Sequence, residues 1–197
     1  MRVWGSRKNP AIVLAVVQAA VLIVVIAVAG KSSAQDQQGI EAFRQLARVL
    51  EHPRCMNCHT RADFPLQGDD RHRHAMNITR GPADHGAAGL HCSTCHQSVN
   101  QAPSGVPGAP DWHLAPLRMA WEGLSVAELC RALLDPARGG MKPSGFVPHF
   151  QTALVRWAWS PGTDQHGGRR ASPPIEYEEF ITLTREWVAR GTPCSVP

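Results

Sequence analysis

Two stretches of the chain, "CMNCH" at 55–59 and "CSTCH" at 92–96, place two cysteines three positions apart with a histidine directly after the second. Together they use four of the six cysteines. Outside the cytoplasm a C-x-x-C pair can oxidise, bind zinc or attach haem, and the histidine chooses among these chemistries. In c-type attachment both thiols bond the vinyl groups of one macrocycle, and the adjacent imidazole becomes the proximal ligand of the iron. The spacing therefore predicts two covalently attached haem c groups, one on Cys55, Cys58 and His59, the other on Cys92, Cys95 and His96. A redox C-x-x-C has no use for the histidine and would open a helix within a βαβ pattern, which this sequence lacks. A zinc-held structural module on the four cysteines is the alternative. The 33 residues between Cys58 and Cys92 exceed the usual ribbon spacing of about 15–20.

The distal ligands are His or Met, the residues that hold haem iron from its other side. After the first motif the candidates are His72, His74, Met76, His85 and His91; after the second they are His113, Met119, Met141 and His149. Met56 lies inside its own attachment loop and is a spacer. In "DDRHRHAMNITRG" an extended backbone would aim His72, His74 and Met76 to one side, with Asp69 or Asp70 orienting a ring. His74 is preferred there, then His72. His149 is preferred after the second motif, and Met141, in the Gly/Pro loop "GGMKPSG", is its competitor. A solvated loop for the first group and a plain helix-start histidine for His149 stand beside these readings.

The elements that must carry these groups read as helices and loops. "GIEAFRQLARVLEHP" sets Ile40, Phe43, Leu46, Ala47 and Leu50 on one helical face ahead of Pro53, predicting a helix that covers the first haem. "SVAE" at 125–128 is a Ser-x-x-Glu capping box opening a helix that reaches "LLDP". "GFVPHFQTALVRWAWSPG" reads as one helix with Pro148 in its opening turn, His149 near its start and Phe150, Ala153, Leu154 and Trp157 on its apolar face. A last helix begins near Ser172-Pro173, carries Tyr177, Phe180, Leu183, Trp187 and Val188, and stops at Gly191. With 17 Gly, 16 Pro and only 6% aromatic residues, the fold class is mostly α with extensive loops, a small dihaem cytochrome c domain whose macrocycles help to fill the core. Trp112, Trp121, Trp157 and Trp159 suit haem-edge packing or ordinary core. Arg80 and Arg118 suit propionate pairing or the surface. Cys130 and Cys194, left over in an oxidising compartment, most simply form a disulfide.

The N-terminus assigns the compartment. Arg2, Arg7 and Lys8 precede the apolar run at 11–30, and small residues follow it, so 1–34 reads as a signal peptide or an N-terminal membrane anchor. No Arg-Arg pair marks it for the twin-arginine route. Residues 35–197 then form the dihaem domain in the periplasm, soluble after cleavage or anchored to the inner membrane by residues 11–30. Three of the 20 basic residues and none of the 16 acidic ones lie before Lys31, leaving a net charge of +1 beyond it. No basic stripe remains for a nucleic-acid partner.

Several stretches together, "RCMNCH", "FPLQGDDRHRH", "RG" with "CSTCHQ", "GAPDWHLAP", "ELC" and "LVRWAWSPG", resemble exported proteobacterial dihaem cytochromes often labelled isoquinoline 1-oxidoreductase subunit. The similarity runs from about Phe43 to Cys194. The resemblance implies partnership with a molybdenum hydroxylase. It also implies histidines at the positions of His72, His74 and His149, hence bis-histidine ligation. Pro148 departs from that family pattern. The expectation is an electron-transfer protein, not itself an enzyme, carrying single electrons from a partner dehydrogenase to a cytochrome or oxidase acceptor. The rival is a dihaem enzyme such as a peroxidase, which needs one iron with an open position.

Overall fold

Trp187, at the centre of the core and fully buried, collects the aromatic side chains around it: Phe43 at 4.9 Å and Phe146 at 5.1 Å between ring centroids. The computed structural model describes residues 34–195. The expected signal or anchor, with its apolar run at 11–30, lies outside the described residues. No helix among the described residues is long and apolar enough to cross a membrane. The chain divides into two compact units, Met1–Gln38 and Gly39–Pro197. Of the first, only the helical residues 34–38 are described.

The described chain is mostly α-helical with few strands. Helix α1 covers residues 34–50. Four-residue turns of helix follow at α2 (Pro53–Met56) and α3 (Cys92–Cys95), then α4 (Val126–Leu134), α5 (Pro143–Phe150), α6 (Ala153–Arg156) and α7 (Tyr177–Ala189). The strands form two minimal antiparallel hairpins, β1 (Leu66–Gln67) with β2 (His72–Arg73) and β3 (Gly86–Ala87) with β4 (Leu90–His91).

The core is built from helices distant in sequence. Phe43, Leu46 and Leu50 of α1, Leu129 and Leu133 of α4, Phe146 and Phe150 of α5, and Phe180, Ile181 and Trp187 of α7 form one cluster. Leu46, Ala47 and Leu50 recur at helical spacing, which is why α1 presents a continuous buried stripe. Helix α4 starts where Ser125 accepts from the Glu128 N–H while the Glu128 carboxylate accepts from the Ser125 N–H, satisfying two otherwise orphaned donors. A disulfide joins Cys130, fully buried in α4, to Cys194 in the tail after α7, with Cα atoms 5.7 Å apart. The Trp187 indole N–H donates to the Pro193 carbonyl at 3.1 Å and holds the same tail.

Two expectations about helices need correction. The stretch 145–162 is not one helix: α5 ends at Phe150, Thr152 caps a new helix α6 by accepting from the Val155 N–H, and a 3-10 turn spans Trp157–Trp159. The Thr152 hydroxyl offers the backbone a local partner, so the chain restarts instead of continuing. Helix α5 begins at Pro143, so Pro148 lies inside it and His149 falls in its last turn. The final helix starts at Tyr177, not at Ser172-Pro173, because the two prolines hold the preceding backbone extended.

Residues 57–125 have little regular structure and are held by side chains that bridge to backbone carbonyls. Arg80, nearly buried, donates to the carbonyls of Thr60 and Ala62 at 3.3 Å each, to the Ala115 carbonyl and to the Asp84 carboxylate at 2.8 Å. Glu122 accepts from the Arg61 N–H at 2.7 Å and from the Thr60 hydroxyl at 3.3 Å, and it pairs with Arg71. Asn100 accepts from the Gly108 N–H at 3.0 Å and the Trp157 indole at 2.8 Å, and it donates to the Ser160 carbonyl at 2.8 Å. These bonds replace secondary structure as the scaffold.

Candidate functional site

The two cysteine-histidine pentapeptides fold alike. Each C-x-x-C is wound into about one helical turn, and the histidine N–H returns to the carbonyl of the first cysteine, at 3.1 Å for His59 on Cys55 and 2.9 Å for His96 on Cys92. The i, i+3 spacing on a turn puts both thiols of a pair on one side. The first turn is started by Pro53, with the His52 ring accepting from the Arg54 N–H.

The two imidazoles are then fixed in the same way. His59 Nδ1–H donates to the Met119 carbonyl at 2.9 Å, and its ring stacks on Trp121 with centroids 3.4 Å apart. His96 Nδ1–H donates to the Pro107 carbonyl at 2.8 Å, and its ring stacks on Trp112 at 4.5 Å with an interplanar angle of 2°. A carbonyl can only accept, so in each ring the proton sits on Nδ1 and Nε2 keeps its lone pair. This is the tautomer and the outer partner that metal-ligating histidines carry. Pro107 reaches His96 because Gly108 lets its segment run against 97–99; a Cβ at Gly108 would collide with the carbonyls of Gln97 and Val99. Trp121 N–H donates to the His59 carbonyl at 3.1 Å and locks the other segment.

A cavity of about 370 Å³ opens beside the first pentapeptide, lined by Cys55, Cys58 and His59 and walled by Leu154, Phe150, Phe180 and the indoles of Trp112, Trp121, Trp157 and Trp159. His149 faces the same space. Burial pushes His59 down to about 3, the bond to the Met119 carbonyl opposing the shift, and burial also holds His149 and His96 below the usual imidazole range. All three rings are therefore neutral near pH 7, the form that ligates metals. Burial pushes the Cys55 and Cys58 thiols up to about 12 and about 11. Both therefore stay protonated thiols near pH 7, and both line the cavity.

The second pentapeptide lies nearer the surface, with Cys95 exposed and Cys92 half-buried. His74 stands beside it, its ring centroid 5.9 Å from that of His96. His74 Nδ1–H donates to the Ala75 carbonyl at 2.8 Å, which again leaves Nε2 free. Chain order pairs His74 with the first motif and His149 with the second. The structure pairs them the other way round: His149 lines the cavity of His59, and His74 meets His96.

The remaining sequence candidates fall elsewhere. His72 is exposed on β2, its Nδ1 2.6 Å from the Asp70 carboxylate. Met76 does not share a side with it, because the backbone turns to φ 62° there and leaves Met76 72% exposed. Met141 packs against the helical core and does not line the cavity. Asp69 pairs with Arg54. Arg80 is a buried clamp rather than a surface residue.

Residues 54–59 and 92–96 can hold haem. The first cavity lies within the range of about 300–1,000 Å³ typical of small-molecule and cofactor sites. Arg54, buried at its wall, has an Nε without a hydrogen-bond partner, a donor suited to an anionic edge. His74 and His96, with ring centroids 5.9 Å apart, are near enough for one ion to be held by both. Among the described residues the four motif cysteines form neither a disulfide nor a shared metal-ligating group. Sequence reasoning missed Arg54, Asn100 and Glu122; only the adjacency of Arg54 to Cys55 offered a signal. No protein family, no curated protein and no solved structure matches the chain.

Proposed function

We propose that the chain is a periplasmic dihaem c-type cytochrome that carries single electrons from a partner dehydrogenase, of the molybdenum hydroxylase class, to a cytochrome or oxidase acceptor. The observation that carries this reading is the doubled arrangement: twice, a C-x-x-C turn ends in a histidine whose Nδ1–H is tied to a backbone carbonyl, whose ring lies flat on an indole and whose Nε2 is free. Haem bound there supplies one-electron oxidation and reduction at iron.

The residues supply the rest. Cys55 and Cys58, and Cys92 and Cys95, anchor the macrocycles, while His59 and His96 ligate from one side. His149, on the wall of the first cavity, and His74, beside His96, would supply a second imidazole to each iron, which favours a carrier over a peroxidase. Trp112 belongs to both sites, stacked on His96 and walling the His59 cavity, so the two centres are close neighbours. Three of the exposed large apolar residues, Met76, Leu90 and Val99, lie within a few positions of His74, Cys92 and His96. Exposed apolar side chains in the segments of the second pentapeptide suit the brief docking of redox partners, which favours electron exchange there.

The test is the visible spectrum of protein matured with a haem-attachment system. The expected result is a pyridine haemochrome of two haem c per chain, with low-spin irons indifferent to carbon monoxide. A chain of bare polypeptide mass without a Soret band refutes attachment. A high-spin iron that binds carbon monoxide refutes the carrier and favours the enzyme. A colourless protein whose metal is stripped by chelators favours the zinc module.

A further inference from the structure

Two histidines named only as distal candidates, His85 and His113, come together at the wall of the first cavity, which His113 and Asp111 line together with His59 and His149. Their rings stack with centroids 4.9 Å apart. Asp111 lies between them: its Oδ1 is 3.7 Å from His85 Nε2 and its Oδ2 3.7 Å from His113 Nδ1. One ligand atom from each of the three residues falls within 4.8 Å of the others. Among the described residues this is the one grouping of three or more such side chains.

The rings are set for ligation. His85 Nδ1–H donates to the Ala83 carbonyl at 2.6 Å, and His113 Nδ1–H donates to the Asp111 carbonyl at 2.6 Å. Each Nε2 therefore keeps its lone pair; that of His85 already faces Asp111, whereas on His113 the nitrogen near the carboxylate is Nδ1. The two loops that carry the residues are bound to each other: the Leu114 N–H donates to the Asp84 carbonyl at 2.8 Å, and Arg80 spans the Asp84 carboxylate and the Ala115 carbonyl. The loops are thus held in place before any ion arrives; His85 Nε2 and the Asp111 carboxylate need movements of only about 1 Å to share an ion, and the His113 ring turns to present its Nε2. Side chains with this much exposure can make them.

We propose that His85, His113 and Asp111 bind one divalent late transition-metal ion, with zinc as its test ion, on the solvent side of the wall that His113 and Asp111 lend to the first cavity. Two imidazoles and one carboxylate are the donor set of three-ligand zinc sites that keep a fourth position for water. Imidazole donors favour zinc, copper and nickel over calcium and magnesium, which prefer all-oxygen shells. His85 and Asp111 are exposed, so the open position faces solvent.

The experiment uses the matured, haem-containing chain, stripped with a chelator and dialysed against zinc chloride, with metal content and titration calorimetry as readouts. The expected result is one zinc per chain, not displaced by excess calcium, with affinity lowered at least about tenfold in His85→Ala, His113→Ala and Asp111→Asn. The haem spectrum stays unchanged in His85→Ala and low-spin in all three. Asp111→Asn is the mildest of the set, because Asn tolerates the positive φ of 58° at that position, and it keeps the test open should a histidine variant fold poorly. No zinc uptake overturns the proposal. So does equal loss in His166→Ala, an exposed histidine elsewhere, and so does a high-spin iron in His113→Ala, which would make His113 an iron ligand.

Discussion

The crossed pairing of the distal histidines can be tested in a chain with one attachment site removed. Cys92→Ala with Cys95→Ala leaves only the first pentapeptide able to hold haem covalently. Chain order then proposes His74 as the distal ligand of the remaining iron, whereas the position of His149 on the cavity wall proposes His149. His149 lines the cavity of His59, and His74 stands 5.9 Å from His96. The expected outcome is that His74→Ala leaves the spectrum of this single-haem chain low-spin and His149→Ala converts it to high-spin. In the full two-haem protein each single variant should convert one of the two irons, half of the total, as counted by the integrated high-spin signal in electron paramagnetic resonance. Conversion by His74→Ala of the single-haem chain, with His149→Ala silent, would refute the reasoning.

Other outcomes follow from the packing. Removing the disulfide by Cys194→Ala should cost about 4 kcal/mol for a closed loop of 64 residues, read as a drop of roughly 10 °C in thermal midpoint; a drop under about 2 °C would show that the tail bonds to Trp187 suffice. Ser125→Ala removes the capping box of α4 and should cost about 1 kcal/mol by urea unfolding, with the spectrum intact. The haem-free chain should lose stability as pH falls. Burial holds His59 down to about 3 in the folded state, while an unfolded histidine titrates near about 6.5. Between those values the unfolded chain takes up a proton that the folded one refuses, so stability is full above the upper value and declines toward the lower. Following thermal midpoints from pH 7 to 4 should show this slope, and His59→Gln should flatten it.

What was legible in the sequence is what is local. The capping box at Ser125 and Glu128 spans four residues and stands as read. The apolar stripe of α1 and the face of α7 follow from spacing alone. The break at Thr152 was missed because a long apolar period outweighed a single hydroxyl able to cap. The tethers that orient His59 and His96 were out of reach for another reason. Their acceptors are the backbone carbonyls of Met119 and Pro107, and a carbonyl leaves no mark in the residue type that bears it. The exchange of His74 and His149 was hidden likewise, since loop routing over 57–125 depends on Arg80, Glu122 and Asn100 finding distant partners.

That exchange bears on where such a chain can be cut. Two near-identical pentapeptides suggest a tandem of modules, each excisable with its own pigment. Because His149 lines the cavity of His59 and His74 stands beside His96, a fragment ending before Cys92 keeps His59 but loses His149, and a fragment starting after His74 keeps His96 but lacks the ring beside it. Neither half is a miniature of the whole: a cut between the pentapeptides parts each from the histidine that the fold sets near it.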